Sequence, residues 1–594
     1  MAACACPPPV RGPALVVSRA KPDDCRSAWP AQPSAACGDA RCQRCRHPWL
    51  AGLAACVLGI GYGVPAGARQ PASAVELRDH DEFEAWLEAP WRAAAAASAR
   101  RFVMRFRDPR AAPGARVGWQ LELRDAAGRV VRRWRGTTLL ANGVGEGAVR
   151  WQAPAAVPPG GAWRVRMRAV PPAGHGGAVE QERRVAGGTM ADPRRLGAFR
   201  ASATFALDML PWDIYLGNLH SQTGHSDGGG ALDTCDHAQP PQSAAAGPAA
   251  AFAYAREHGL DFLLASEHNH MYDGSADTAR QADPARAQAL FRAGLAEAAD
   301  FTAAHPGFVA LYGLEWGVAE HGHLNILNGT ELLGWERNAA GELLADTATP
   351  RTDYAGLYTL LRERGWLGQF NHPNASQFRA AGKPLGYTAD GDAAMVLCEV
   401  SNSNAFSART DEGEPRFTHY ETTCQRALEA GYHVAFSSNQ DNHCANWGAS
   451  APNRTGVLLP AGTPLTAASL LEAIAARRVF ATMDKAASLV LTANGHMMGE
   501  RFVNQGDLAL SVRYRHAAGT APGELVLVSG VPGRNGKPAQ VTLAATEVTL
   551  RPEPGEHYYY ARLTQEDGKV LWSAPLWVAQ EAGAAEPPSD PDQP

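Results

Sequence analysis

The sequence predicts a multidomain fold of mixed α/β and all-β type: a central barrel of parallel strands and helices, with a β-sandwich on either side. Three observations predict it. The 594 residues are too many for one hydrophobic core. Between Trp212 and about Asp484, short apolar runs alternate with helix-like segments, the rhythm of parallel strands closing on themselves. On both sides of that stretch the pattern changes to period-two alternation broken by Gly- and Pro-rich turns.

Taken in order, residues 1–68 read as a leader. The basic cluster Arg41 to His47 precedes the apolar run "WLAGLAACVLGIGYGV" and the small-x-small pattern Ala66-Gly67-Ala68, so a signal peptide would be removed near Arg69. The Pro- and Cys-rich residues before the basic cluster read as a misplaced start. The expected location is periplasmic or extracellular, with a lipid anchor at Cys56 as the lesser alternative. The apolar run is too short and too rich in glycine for a membrane span.

The first sandwich is expected over 69–200, from runs such as "RFVMRF", "RVGWQLELRD" and "AWRVRMRAV". The segment "DEFEAWLEAPWRAAAAASAR" before it suits a short helix or a disordered lead-in. The barrel is expected over 212–484. Its strands are "DFLLASEH", "FVALYGLEW", "HLNIL", "WLGQF", "AMVLCEV" and "HVAFSS". Its helices lie near Ala246–His258, Ala285–Ala304, Tyr354–Arg364, Thr418–Ala430 and Leu465–Ala476. A second sandwich is expected over 485–580, and 581–594 reads as a disordered tail.

Composition narrows the function. A formal charge of −5 and a pI near 6.4 give no reason to expect nucleic acid. The run Arg132-Arg133-Trp134-Arg135 reads as a solvated strand face. Of the eleven cysteines, seven fall in the expected leader. Cys235, Cys398, Cys424 and Cys444 remain, and in an exported chain they can form two disulfides with three possible pairings. Cys235 and Cys444 each follow a loop rich in candidate ligands; a bond between them would brace that face, and two unrelated buried thiols are the other reading.

The chemistry gathers at the strand ends. The first strand runs into "YLGNLHSQTGHSDGGG", which supplies His220, Gln222, His225 and Asp227. The next ends in Glu267-His268-Asn269-His270; then come Glu315, His323, Asn371-His372 and Asp441-Asn442-His443. Nine of the nineteen histidines fall between 220 and 323. In a barrel of parallel strands the C-terminal ends share one face, so residues far apart in sequence become one cluster. Zinc, manganese and iron take that mixture of imidazole and carboxylate. His237, His258, His305 and His419 read as ordinary structural histidines.

His220-x-Gln222-Thr223-x-x-Ser226-Asp227-Gly228 resembles the first motif, HxHTxxSDG, of the PHP (polymerase and histidinol phosphatase) metallohydrolase superfamily. Ser266-Glu267-His268-Asn269 resembles its T-D-H-N motif, and Gly313-Leu314-Glu315 with Gly322-His323 its G-x-E and G-H pair. Asn371-His372-Pro373 and Ser438-x-x-Asp441-Asn442-His443 are similar to its last two elements. The flanking sandwiches and "RRVFATMDK" look most like the carbaryl-hydrolase-like branch.

The resemblance implies a distorted, TIM-like (β/α)7 barrel and two or three divalent ions, Zn2+, Mn2+ or Fe2+. Carried over by motif, His220, Glu315 and Asp441 would hold one ion, with Gln222 where a second histidine is usual. Glu315 would bridge to a second ion held by His323 and His372, and Asp227, His268 and His443 would hold a third. His225, three residues after Gln222, is a possible substitute ligand. Glu267 stands in place of the usual aspartate and is expected to act behind the ligands rather than as one.

The expected activity is that of an exported metal-dependent hydrolase, with a phosphoesterase favoured and a small-molecule phosphoester as substrate. Besides Glu315, the candidate catalytic residues are His270, with His225 as its alternative, as proton donor to the leaving group, and Arg454, as a grip on a substrate anion. Two alternatives stand beside it. One is hydrolysis of a carboxyl ester, carbamate or amide by the same centre. The other is a binding protein built on a degenerate barrel, for which Gln222 is the best support.

Overall fold

The computed structural model describes residues 83–91, 99–125, 127–152, 162–186 and 211–582. The expected leader at 1–68, with Cys56, and residues 583–594 of the expected tail lie outside the described residues; Glu581, expected in that tail, instead closes the strand Leu576–Glu581. Among the described residues strands predominate, arranged in several sheets with six helices packed among them.

The first seven strands are β1 (Glu84–Glu88), β2 (Arg100–Arg107), β3 (Arg116–Arg124), β4 (Val130–Leu139), β5 (Val144–Trp151), β6 (Ala162–Val170) and β7 (Val179–Ala186). They form two antiparallel sheets, β1-β2-β5 and β4-β3-β6-β7. Phe102, Met104 and Phe106 of one sheet pack against Leu121, Val165 and Met167 of the other. Alternation along β2 and β6 buries Phe102, Met104, Phe106, Val165 and Met167 and leaves Arg101, Arg166 and Arg168 exposed. The expected helix or lead-in near Glu84 is corrected here. Its "EAWLE" pairs with β2, held by Arg107 to Glu84 at 2.9 Å and by Arg105 to Glu88.

The central stretch supplies β8 (Trp212–Asn218), α1 (Pro248–Glu257), β9 (Phe262–His268), α2 (Pro284–Ala304), β10 (Val309–Trp316) and β11 (Leu324–Ile326). Two short strands, β12 (Leu333–Gly334) and β13 (Thr347–Ala348), pair with each other. Then come α3 (Tyr354–Arg364), β14 (Gly368–Phe370), α4 (Ala389–Ala394), β15 (Met395–Ser403), β16 (Phe417–His419), α5 (Glu421–Ala430), β17 (Ala435–Asn439), β18 (Arg454–Pro460), α6 (Ala467–Ala475) and β19 (Val479–Thr482).

β8, β9 and β10 are parallel neighbours, as are β14, β15 and β17. β11 runs antiparallel between the two sets. Past its last strand residue the chain of β17 meets the chain beyond β8. Asp441 N donates to His220 O and Gln222 N to Asn442 O, both at 2.9 Å. The two ends of the series are therefore joined by backbone hydrogen bonds.

Local sequence explains the elements that set this frame. α2 begins with Asp283 accepting from Ala285 N at 3.0 Å, followed by Pro284 where a missing N–H is harmless. Its buried face is Ala287, Phe291, Gly294 and Ala298. Gly294 is required there, because a Cβ would lie 2.1 Å from the ring of Tyr312. Strands β9, β10 and β15 are buried along their whole length, so their apolar runs lack alternation.

The rest of the described residues, Ala487 to Glu581, form two further layers. One is a four-stranded sheet that includes Ala487–Ala493 and Leu508–His516. The other continues the central sheet: Val570–Ser573 pairs with β19, and Gly555–Gln565 pairs beyond it. The central and C-terminal stretches are thus hydrogen-bonded into one sixteen-stranded sheet. Among the described residues no helix is long and apolar enough to cross a membrane.

Candidate metal centre

One short turn beyond β8 places His220, and the loop that follows carries Gln222 and Asp227. His268 is the last residue of β9, and Glu315 is the penultimate residue of β10. His372 follows β14, and Asp441 and His443 follow β17. His323 differs from the expectation. It precedes β11 rather than ending it, and because β11 is antiparallel its start lies on the same face as the ends of its neighbours.

These residues converge on Glu315, which is wholly buried. Its Oε2 lies 2.9 Å from His220 Nε2 and 3.7 Å from His268 Nε2. Its Oε1 lies 3.3 Å from His323 Nδ1 and 3.4 Å from His372 Nε2. Asp441 Oδ1 is 3.0 Å from His220 Nε2, and Asp227 Oδ1 is 3.7 Å from His443 Nε2. Three groups have ligand atoms within 4.8 Å of one another: His220, His372, Asp441; Asp227, His268, His443; and Glu315, His323, His372. Of these residues only His372 is partly exposed, so the centre meets solvent on its side.

Two of the candidate ligands sit in a backbone conformation that L-residues rarely adopt, with φ of 26° at His372 and 53° at Asp441. Each such residue costs about 1–3 kcal/mol and persists only where its surroundings impose it. The loop after β8 is equally constrained. A Cβ at Gly228 would lie 2.4 Å from the carbonyl carbon of Gln222, so only glycine lets the chain double back.

The electrostatics of the cluster suit a cation. Burial opposes charge on His220, but Asp441, Glu315 and Glu399 together raise its pKa well above the usual imidazole value. Burial likewise opposes the Glu315 carboxylate, yet His220, His268 and His323 hold its pKa far below the usual range. For His372, burial is outweighed by Glu315 and the pKa is pushed up to about 9. Buried carboxylates this close together need compensating positive charge, from protons or from cations.

The donor set fits divalent ions: five imidazoles and three carboxylates in the three groups. Gln222 fits as well. Its Nε2 donates to Glu315 Oε2 and, at 3.2 Å, to Ser266 O, while its buried Oε1 has no hydrogen-bond partner. A buried amide oxygen left this way costs about 1–3 kcal/mol, which a cation would relieve.

Other expected residues lie elsewhere. His225 does not replace the missing histidine; its Nδ1 lies 2.9 Å from the Tyr312 hydroxyl. Arg454 is corrected as an anion grip. It is buried, and its guanidinium donates to the carbonyls of Ala451, Asn453 and Gly448 at 2.8 Å and to Glu412 at 2.7 Å. His270 lies beside the cluster, its ring 5.8 Å from that of His268 and stacked at 5.7 Å on Trp335. Glu267 faces away from the ligands, because successive strand residues point to opposite sides. It accepts from Thr223 N at 3.0 Å and from the Thr223 and Ser226 hydroxyls at 2.5 Å, and so holds the ligand loop.

Sequence reasoning missed Glu399 and the amides of Asn325, Asn402 and Asn439. Asn371 Nδ2 donates to Glu315 Oε1 at 2.9 Å and to Asn325 Oδ1 at 2.7 Å. A signal existed: Glu399 is a charge inside the apolar run of β15, and such a charge is retained only with partners. The cysteines pair as Cys235–Cys444 and Cys398–Cys424, with Cα atoms 5.7 and 5.9 Å apart. The first bond ties the residue after His443 to the loop that carries Asp227.

No family model matches the chain, and no curated protein matches it. Among solved structures, a β-glucuronidase of Parabacteroides merdae is 9% identical, with 85% of this chain and 65% of that one covered and a TM-score of 0.16. A β-glucuronidase of Bacteroides uniformis is 10% identical, with 84% and 61% covered and a TM-score of 0.14. The chain thus spans less than two thirds of either enzyme, and scores this low give the likeness no weight for fold or function.

Proposed function

We propose that the chain is a metal-dependent hydrolase of the PHP type, with β8 to β17 as a distorted, closed barrel and the His/carboxylate cluster as its catalytic centre. One observation carries the reading: Glu315 presents both carboxylate oxygens to imidazoles belonging to separate ligand groups. A carboxylate so placed suits neighbouring cations, whose repulsion it offsets. Divalent ions there would supply Lewis acidity and, near neutral pH, a hydrolytic nucleophile from water.

His220, Glu315 and Asp441, with the Gln222 amide oxygen, would hold one ion. His323, His372 and Glu315 would hold a second, and Asp227, His268 and His443 a third. Burial of nearly the whole set keeps bulk water out and strengthens every charge interaction within it. His270, buried beside His268 with the two rings 5.8 Å apart, would be the proton donor to a leaving group.

A phosphoester is the favoured substrate, because several cations in one site match the charge of a phosphoryl group. Hydrolysis of a carboxyl ester, carbamate or amide is the second reading, favoured by one observation: Arg454, the cation expected to grip a phosphate, is engaged by backbone carbonyls and Glu412.

The test is elemental mass spectrometry of protein purified without chelator, followed by assays on aryl phosphates and aryl esters. Two or three equivalents of Zn, Mn or Fe, with activity lost in Glu315→Gln, is the expected result. Turnover of aryl esters alone would move the assignment to the second reading. No ion uptake, even after reconstitution, would leave the chain a binding protein.

A further inference from the structure

We infer that Glu399, which belongs to none of the three ligand groups, is the positioning residue of the centre. Its carboxylate sets the ring of His220 and the backbone of His372 for ion binding. The assignment rests on the metal-centre reading above. Glu399 is wholly buried in the middle of β15, where the pairing with β17 shifts register between Glu399 and Ser401. Such an irregularity re-aims a side chain from its strand.

The redirected carboxylate uses both oxygens. Oε1 lies 3.2 Å from His220 Nδ1 and accepts from Asn439 Nδ2 at 3.0 Å. Oε2 accepts from the backbone N–H of His372 at 2.7 Å. A ring that gives its Nδ1 proton to Glu399 turns its Nε2 lone pair toward Glu315 and Asp441, the side an ion would occupy. The second bond acts on a different difficulty. With φ at 26°, His372 sits in a strained conformation, and its N–H is fastened from outside the turn. One carboxylate thus orders a ligand of the His220 group and the residue shared with the Glu315 group.

Only a carboxylate does both. In Glu399→Gln, an amide oxygen turned to His220 leaves the NH2 facing the His372 N–H, and the opposite turn sets the NH2 against His220 Nδ1–H. Glu399→Asp keeps both acceptors on a shorter arm.

The test loads the wild-type chain, E399Q and E399D with Co2+, and follows stoichiometry, affinity and the visible absorption bands of the bound ion. E399Q is expected to keep its circular dichroism and its ion at Asp227, His268 and His443. Its remaining Co2+ should bind at least about tenfold more weakly, with altered bands, and E399D should recover part of the loss. Equal affinity and unchanged bands in E399Q overturn the assignment.

Should E399Q fail to fold, 15N spectra of the Zn2+-loaded wild type decide instead: a His220 ring protonated at Nε2 rather than Nδ1 overturns it. A wild-type chain that takes up neither ion overturns the metal-centre reading and this assignment together. That outcome is distinct from wild type and E399Q loading alike.

Discussion

Gln222 donates its side-chain amide to Glu315, in the place where the resembling motif carries a second histidine. The glutamine therefore presents its N–H to the carboxylate and keeps its free oxygen as the only group it can offer a cation. A neutral amide oxygen is a weaker ligand than imidazole for zinc-like ions. Gln222→His is expected to raise the affinity of the His220–Asp441 position by about tenfold or more and to leave the other positions unchanged, a difference of about 1.4 kcal/mol. Equilibrium dialysis against Zn2+ checks this. Equal stoichiometry and affinity in wild type and variant would mean that Gln222 does not limit that position.

The cluster was legible because strand ends converge, and a motif read at each end carries spatial information. What the sequence hid was direction. The three residues of β11 are too few to show that the strand runs antiparallel, so His323 reads as an ending when it is a beginning. Glu399 was hidden by its company, since the run around it is judged by its apolar members. Arg454 misled for the opposite reason: an arginine beside a ligand motif suggests substrate, but a loop with several inward carbonyls also needs a donor. Glu84–Glu88 reads as a short helix or a disordered lead-in and becomes a strand through pairing with β2, a tertiary effect that local propensity does not contain. The join between β19 and Val570–Ser573 is likewise beyond a residue-by-residue reading.

Arg454 yields a prediction of its own. Its buried guanidinium satisfies three carbonyls and Glu412, while Lys485 also reaches Glu412 at 2.7 Å. Arg454→Met removes the donors and leaves the carbonyls buried, a loss of about 3–5 kcal/mol by the measure of broken buried pairs. The melting temperature should fall while the ion content of the folded fraction is kept. A change in KM for an anionic substrate with no change in stability would restore the substrate role.

The Cys235–Cys444 bond should matter for one ion position as well as for the fold. Gly230 N donates to His443 O and Ala445 N to Gly230 O, both at 2.9 Å, so the bond clamps a small backbone bridge beside Asp227 and His443. Replacing both cysteines by alanine frees a loop of about two hundred residues, for which chain entropy alone gives about 5 kcal/mol. The double variant is expected to lose the ion at Asp227, His268 and His443 several-fold faster to a chelator than the wild type does. Replacing Cys398 and Cys424 should lower stability without that selective loss. Equal rates for both double variants would make the first bond a general staple.

Acid stability offers a test away from the centre. Glu421 opens α5 and faces Arg562 of the Gly555–Gln565 strand, with its oxygens 3.0 and 2.8 Å from Arg562 Nη1 and 2.6 Å from the Tyr560 hydroxyl. Burial opposes the carboxylate, but Arg562 and these hydrogen bonds leave its pKa below the usual range. The sign follows from linkage. The unfolded chain binds the proton more readily, near the ordinary value of about 4.3, so the pair's contribution is complete above that pH and is lost as pH falls through the folded value. At neutral pH, Glu421→Gln leaves Arg562 buried without its counter-charge and should cost about 3–5 kcal/mol. Toward pH 3 the wild type should lose stability more steeply than the variant, so their urea midpoints should converge on acidification. Parallel midpoints across that range would show that the Glu421–Arg562 pair is not what acid dissolves.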